Sequence, residues 1–176
     1  MSRKQHVWSP AREMVLAGSF AALGVVLPIL FHMVGMGRHF LPMHLPVLLA
    51  GLVLSPRVAW TVGIVTPWLS SMLTGMPPMP FPVLMSIELV VLAELASVLV
   101  NLRVPIWLSA IAAVLARCAV TWVATVALAS YLGIPPQAAG WASVAAGLPG
   151  IAVQVLAAPI LAISLTKRVR NPAPAA

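Results

Sequence analysis

Long apolar runs alternate with short polar or proline-containing segments along the whole chain. A helix needs about 20 apolar residues to cross the roughly 30 Å hydrocarbon core of a bilayer, and most of the runs approach that length. The runs are rich in Ala, Leu and Val and lack the alternation of a strand, which favours helices over a barrel. The pattern predicts an all-α integral membrane protein, a compact bundle of six transmembrane helices spanning about 12–31, 41–54, 58–73, 83–102, 105–132 and 141–165.

Composition supports the membrane class. Hydrophobic residues make up 61% of the 176 residues and charged residues only 7%, which is far from the balance of a soluble domain. Six spans use almost the whole chain, so we predict a single transmembrane domain over 1–176. Residues 167–176 begin with basic residues and end in Pro and Ala, and we expect them to form a disordered cytoplasmic tail.

The basic residues indicate the orientation. With six spans both termini lie on one side of the membrane, and that side holds eight of the ten Lys and Arg residues. The loops of the other side hold only Arg38, and the remaining Arg117 lies within a span. Because cytoplasmic loops are enriched in Lys and Arg, we predict a multi-pass protein of the plasma membrane with cytoplasmic termini. The net charge of +7 thus reflects the membrane topology. We expect the basic side chains to contact membrane lipids, and we expect no nucleic-acid partner.

Four polar residues from four different spans lie at a similar depth. Counting about 1.5 Å of rise per residue from the cytoplasmic ends places all of them about 16–20 Å into the membrane. Charged groups at such depth are costly and face a bundle interior or a cavity, so we predict a polar layer facing a common cavity. Its members are His44, Glu88, Arg117 and Gln154. Glu88 and Arg117 either form a structural ion pair, or one of them meets a charged ligand.

The segment 35–46 concentrates polar chemistry between two apolar runs. It contains Arg38 and His39 besides His44, and its two glycines and two prolines disfavour a regular helix. We interpret it as the wall or lid of a binding pocket on the outer side, the alternative being a plain loop whose side chains meet lipid headgroups. Ser70 and Thr74, on one face of the third span, add hydroxyl groups to the predicted pocket.

Metal and enzyme chemistry are less well supported. Methionines and histidines cluster toward the outer side, and such ligands suit soft transition metals, but methionine also fills apolar pockets and no His-x-x-x-His pair occurs. The chain has no P-loop, so we expect it to use no cofactor and to bind no ATP itself. We predict that it is not an enzyme. The alternatives are an integral membrane enzyme acting on a lipid or isoprenoid, a transition-metal uptake component, and a structural subunit.

Small residues form a stripe on the first span. Ala17, Ala21 and Gly24 follow the i, i+4, i+7 spacing that lets another helix approach closely. Spacing alone does not distinguish packing within the bundle from docking of a partner.

Several segments together resemble a known family. They are the run 37–51 that begins Gly-Arg-His-Phe-Leu-Pro-Met-His, the run 67–78 that ends Thr-Gly-Met-Pro-Pro, then Glu88, and then the run 150–154. With six short spans and no ATPase motif, the chain resembles the substrate-binding S component of an energy-coupling factor (ECF) transporter. The resemblance covers about residues 14–165 and is to the broad branch that includes folate, pantothenate and queuosine-precursor uptake.

The resemblance implies a function and partners. An S component of a prokaryote captures a vitamin or vitamin precursor outside the cell, and associates with a transmembrane coupling protein and two ATPase subunits that use ATP. Ala17 and Ala21 would dock on the coupling protein. The substrate site would draw on the predicted polar residues, namely Arg38, His39, His44, Ser70, Thr74, Glu88, Arg117 and Gln154. Because Glu88 competes for Arg117, compact weakly charged heteroaromatic ligands rank above folate. The basic N-terminus lacks the metal-binding segment of the nickel and cobalt branch.

Overall fold

The structure is a computed structural model, and it describes residues 8–33, 35, 40–132, 145 and 147–170. Those residues form an all-helical fold without strands, as the apolar pattern predicts. The helices are α1 (Pro10–Met33), α2 (His44–Val53), α3 (Pro56–Thr74), α4 (Phe81–Asn101), α5 (Ile106–Leu132) and α6 (Leu148–Arg170).

Four helices in the described part of the chain are long and apolar enough to cross a membrane. They are α1, α4, the stretch Ile106–Ala124 of α5 and the stretch Leu148–Lys167 of α6. Helix α3 has 19 residues but is more polar, and α2 has only ten. Ten residues of helix measure about 15 Å, roughly half the hydrocarbon thickness. The helix observed within the predicted span 41–54 covers His44–Val53 and is shorter than the span.

Two predicted boundaries differ from the observed helices. The sixth helix begins at Leu148 in the described residues, and most of the earlier part of the predicted span 141–165 lies outside them. Helix α6 also continues to Arg170, so the first residues of the predicted tail 167–176 are helical, whereas 171–176 lie outside the description.

Helix α2 lies inside the bundle. It packs against α1, α3, α4, α5 and α6, and Val47, Leu48 and Ala50 are completely buried. A close approach to α4 occurs at Gly51, where an added Cβ atom would lie 2.9 Å from the Cα atom of Ala93. Because only a residue without a side chain fits there, Gly51 allows the two helices to pack backbone against backbone.

Side chains from distant parts of the chain fix the turn from α2 to α3. The indole Nε1 of Trp8 donates a hydrogen bond to the Val53 carbonyl (3.1 Å), and the Ser97 hydroxyl donates one to the Leu54 carbonyl (2.7 Å). The carboxylate of Glu13 accepts a hydrogen bond from the backbone N–H of Ser55. We call this region, made of Trp8, Glu13, the turn 53–55 and Ser97, the anchored end.

Candidate functional site

A cavity of about 600 Å³ lies at the end of the bundle opposite the anchored end. It is formed where α1 and α3 end and where α2 and α4 begin, and the loop between α3 and α4 closes one side. Its walls are mainly apolar and include three methionines and several prolines. The lining includes His32, Met43, His44, Ser70, Met76 and Met85.

Hydroxyl groups near the end of α3 hold the loop wall of the cavity. The buried Ser70 hydroxyl donates a hydrogen bond to the Met76 carbonyl at 2.7 Å. The Thr74 hydroxyl donates to the Ser70 carbonyl at 2.7 Å and accepts from the Met76 N–H at 3.1 Å. Gly75, in the left-handed region (φ 70°), ends the helix so that the loop can turn back. Ser70 also lines the cavity, whereas Thr74 is exposed and does not.

His44 connects the cavity with the polar interior. It is the first residue of α2, lines the cavity and is 2% exposed. Its Nε2 atom lies 3.7 Å from Oε2 of Glu88, which is too long for a direct hydrogen bond. Neither ring nitrogen has a hydrogen-bond partner among the described residues. A buried imidazole that faces a carboxylate but forms no hydrogen bond is available to a ligand or a bridging water.

Glu88 lies between two nitrogen-bearing side chains. Its Oε2 atom is 3.6 Å from Nη1 of Arg117, and this is the atom that also faces His44. All three side chains are buried and come from α2, α4 and α5. Nη2 of Arg117 donates a hydrogen bond to the Cys118 sulfur at 3.3 Å, while Nε has no partner in the described part of the chain. Thus the structure brings together three of the four polar-layer residues, although Glu88 and Arg117 do not line the cavity.

Gln154 is the fourth polar-layer residue. It lies on the face of α6 that also buries Gly150 and Ala158, and it is completely buried. Neither its amide oxygen nor its amide nitrogen has a partner among the described residues. Gln154 is not part of the cavity wall, so its contact with a substrate remains a prediction.

The two remaining predicted pocket residues, Arg38 and His39, are outside the described residues. Among the cavity-lining residues that were not predicted as substrate contacts are His32 and Met85. Met85 precedes Glu88 by three residues, a spacing that places both on one face of a helix and could have identified it. His32 comes one turn after Pro28, whose carbonyl lies 2.7 Å from Nδ1 of its ring.

A second cavity of about 500 Å³ runs along the outer surface between α1 and α3. We call it the α1–α3 groove. Its α1 side includes Ala17, Gly18 and Ala21, and its α3 side includes Val65 and Leu69. Ala17 is half-buried and Ala21 is 8% exposed because it already packs within the bundle. The groove is apolar, and its small side chains allow another helix to approach closely.

The site has the chemistry of a binding pocket. In the residues that the structure describes, no group of three His, Cys, Asp or Glu residues is placed to hold a metal ion. An apolar cavity with a few polar groups is typical of a small-molecule site. Here His32, His44 and Ser70 supply polar side chains of the described wall, and Glu88 with Arg117 lies behind His44.

Comparison with known proteins gives one match. The model of the family described as "ECF transporter, substrate-specific component" matches residues 12–162. The matched range includes both cavities and all four residues of the polar layer. Searches of curated proteins and of solved structures found no match.

Proposed function

Because the chain belongs to the family of ECF transporter substrate-specific components, we propose that it captures a vitamin or vitamin precursor outside a prokaryotic cell for ATP-driven uptake. Family membership supports a membrane protein that binds a small-molecule substrate and works with other ECF transporter components. Such a component does not belong to an enzyme class.

The observation that carries the proposal is the cavity beside the buried His44 imidazole, whose ring nitrogens form no hydrogen bond among the described residues. The cavity of about 600 Å³ is large enough for a compact heterocycle, and its walls of Met, Pro and Phe suit a flat apolar face. His44 offers one hydrogen-bonding anchor at the inner side. We propose a weakly charged heteroaromatic ligand, such as a benzimidazole, a pyrimidine or a deazapurine. Folate ranks lower because Glu88 faces the buried Arg117 and partly neutralises it.

We propose that the cavity opens to the outside. Arg57 at the start of α3 and Arg103 after α4 are exposed at the opposite end of these helices. Lys and Arg near membrane-spanning segments favour the cytoplasmic side. At the cavity end, the described residues 28–33, 40–46 and 70–85 contain no Lys or Arg. This distribution supports cytoplasmic termini and an outward-facing substrate site in the plasma membrane.

We propose that the α1–α3 groove receives the coupling protein. The groove is apolar and contains Ala17 and Ala21, the small residues that the family resemblance assigns to docking. The coupling protein would in turn bring the ATPase subunits, so ATP would be used by partners rather than by this chain.

Native mass spectrometry tests the substrate proposal. Protein extracted gently from its host membrane is expected to retain one heteroaromatic molecule of a few hundred daltons per chain. The His44→Leu variant should lose it, whereas Glu94→Gln should keep it, because Glu94 is exposed on the far face of α4. A wild-type protein that carries a nickel, cobalt or copper ion in place of an organic molecule would contradict the proposal and support metal uptake.

Co-purification tests the docking proposal. Ala17→Trp places a large side chain in the groove and should abolish recovery of the coupling protein and ATPases, while the substrate stays bound. Leu115→Trp is the matched control, because Leu115 is 64% exposed on α5, away from the groove. Equal recovery of the partners with both variants would show that the groove is not the docking surface.

A further inference from the structure

The cavity and the α1–α3 groove are built on the same two helices. Helix α1 lines the groove with its middle residues and the cavity with Pro28 and His32. Helix α3 lines the groove with residues such as Val65 and the cavity with Ser70. The contact between α1 and α3 therefore separates a partner surface from a substrate site.

Gly24 and Thr66 face each other closely in that contact. Gly24 is buried, and Thr66 is completely buried. A Cβ atom added to Gly24 would overlap the Cγ2 methyl group of Thr66 and would lie 3.8 Å from Cγ of Met43. Met43 is 3% exposed and lines the cavity. The place where α1 packs against α3 is therefore next to Met43 of the cavity wall.

Thr66 cannot easily move away. Its hydroxyl donates a hydrogen bond to the Val62 carbonyl at 2.7 Å, in a buried position. A threonine side chain has few allowed rotamers in a helix, and rotating the methyl group away from Gly24 would break this hydrogen bond. The methyl group is therefore a fixed feature of α3 against which α1 packs.

We propose that Gly24 and Thr66 form a positioning contact through which a partner docked in the α1–α3 groove acts on the substrate cavity. On α1, Ala21 and Val25 of the groove lie within three residues of Gly24, and a Cβ atom at Gly24 would lie near both Thr66 and the cavity-wall residue Met43. A helix that enters the groove presses on α1 and α3, and their relative shift reaches Met43 through this contact. The inference rests on the proposed function, because it requires a partner in the groove.

A cysteine reporter in the cavity tests the inference. Cys118→Ser removes the native thiol, and Met85→Cys places a new one in the α4 wall of the cavity, opposite α1. The full chain is co-expressed with its coupling protein and ATPases, and labelling of residue 85 by a water-soluble maleimide is timed with and without them. We expect the partners to change the labelling rate by about fivefold or more, within the range of typical allosteric coupling.

Three variants of α1 and α3 are compared in the chain that carries Cys118→Ser and Met85→Cys. Gly24→Ala should reduce the ratio of the two labelling rates to near one. Gly24→Ala with Thr66→Ser should restore it, because serine keeps the hydroxyl that bonds Val62 and removes the overlapping methyl group. Ser19→Ala is the matched control on α1, since Ser19 is exposed, its hydroxyl bonds the Val15 carbonyl within α1, and it lines neither the groove nor the cavity. If Gly24→Ala does not accumulate, Thr66→Ser alone is used, and the ratio should fall by at least half.

The outcomes separate this inference from the proposed function. If the partners co-purify with the reporter chain but the labelling rate does not change, the positioning contact is refuted and the docking proposal stands. The same holds if Gly24→Ala, or Thr66→Ser in its place, keeps the full ratio. If the partners do not co-purify with the unsubstituted chain, the proposed function and this inference fail together.

Discussion

The two ends of α2 are built in opposite ways. At its C-terminal end, Trp8, Glu13 and Ser97 each hydrogen-bond a peptide group of the turn to α3. At its N-terminal end, buried nitrogen atoms of His44 and Arg117 have no hydrogen-bond partner among the described residues. Both ends contain buried polar side chains. Those of the anchored end bond the backbone of the turn, whereas His44 and Arg117 have nitrogen atoms without a hydrogen bond in the described part of the chain.

This difference separates stability from function. A buried polar group without a partner costs about 1–3 kcal/mol, so folding alone gives no reason to keep several of them in one layer. This cost is removed when a ligand forms the missing hydrogen bonds with the same groups. We therefore expect substitutions at the anchored end to change stability alone, and substitutions in the polar layer to change ligand retention.

The largest effect is expected for Glu88→Ala. The substitution leaves Arg117 buried without its carboxylate, and breaking a buried ion pair in this way typically costs about 3–5 kcal/mol. Thermal unfolding in detergent should show a large loss of stability, while Glu94→Ala, which removes an exposed carboxylate from the same helix, should change it little.

A double substitution sharpens this result. Glu88→Leu with Arg117→Met removes both charges, and it should recover most of the stability because apolar replacements of a buried pair are often tolerated. It should not recover the retained small molecule, if the pair supports His44 in binding. Full recovery of both properties would mean that the pair serves the fold alone.

Glu13→Ala should produce the next largest loss of stability. A hydrogen bond to a charged group contributes about 1.5–3 kcal/mol, and this one fixes the N–H of Ser55 just before α3. Unfolding should occur at a lower temperature, and the folded fraction should retain its small molecule at the wild-type ratio. Loss of the small molecule from folded Glu13→Ala protein would contradict the separation of the two ends.

The polar layer illustrates what a sequence can reveal. Charged residues are scarce in this chain, and the rise of a helix is constant, so counting from the helix ends placed His44, Glu88 and Arg117 at one depth. The structure shows Glu88 within 3.7 Å of both other side chains. Counting could not show that Glu88 and Arg117 lie behind the cavity wall, because the rotation of each helix about its axis depends on packing against its neighbours.

Long-range hydrogen bonds were not predictable in the same way. Glu13 and Ser55 are separated by 42 residues, and Ser97 and Leu54 by 43. No periodic pattern connects such pairs, since they meet only after the helices have packed. The predicted span 41–54 is also four residues longer than α2 (His44–Val53), because its apolar run continues into the flanking turns.

Gln154→Leu should affect the two properties in opposite directions. Leucine has a similar size and removes two buried amide atoms that have no partner in the described part of the chain, so stability should stay the same or rise by up to about 1–3 kcal/mol. Retention of the small molecule should fall. Ser164→Ala, at an exposed position of α6, is the control for a general effect on this helix. A destabilised Gln154→Leu protein would indicate that the amide has a structural partner instead.

Ser97→Ala is expected to have the smallest effect. It removes one neutral hydrogen bond to the Leu54 carbonyl, and such a bond contributes about 0.5–1.5 kcal/mol. Ser86→Ala on the same helix is the matched control, because the Ser86 hydroxyl bonds only the Pro82 carbonyl within α4 and connects no second element. Unfolding temperatures should therefore order as Ser97→Ala below Ser86→Ala, with the small molecule retained by both. If Ser97→Ala released it, the turn after α2 would control His44 at the other end of the helix, and the anchored end would belong to the binding machinery.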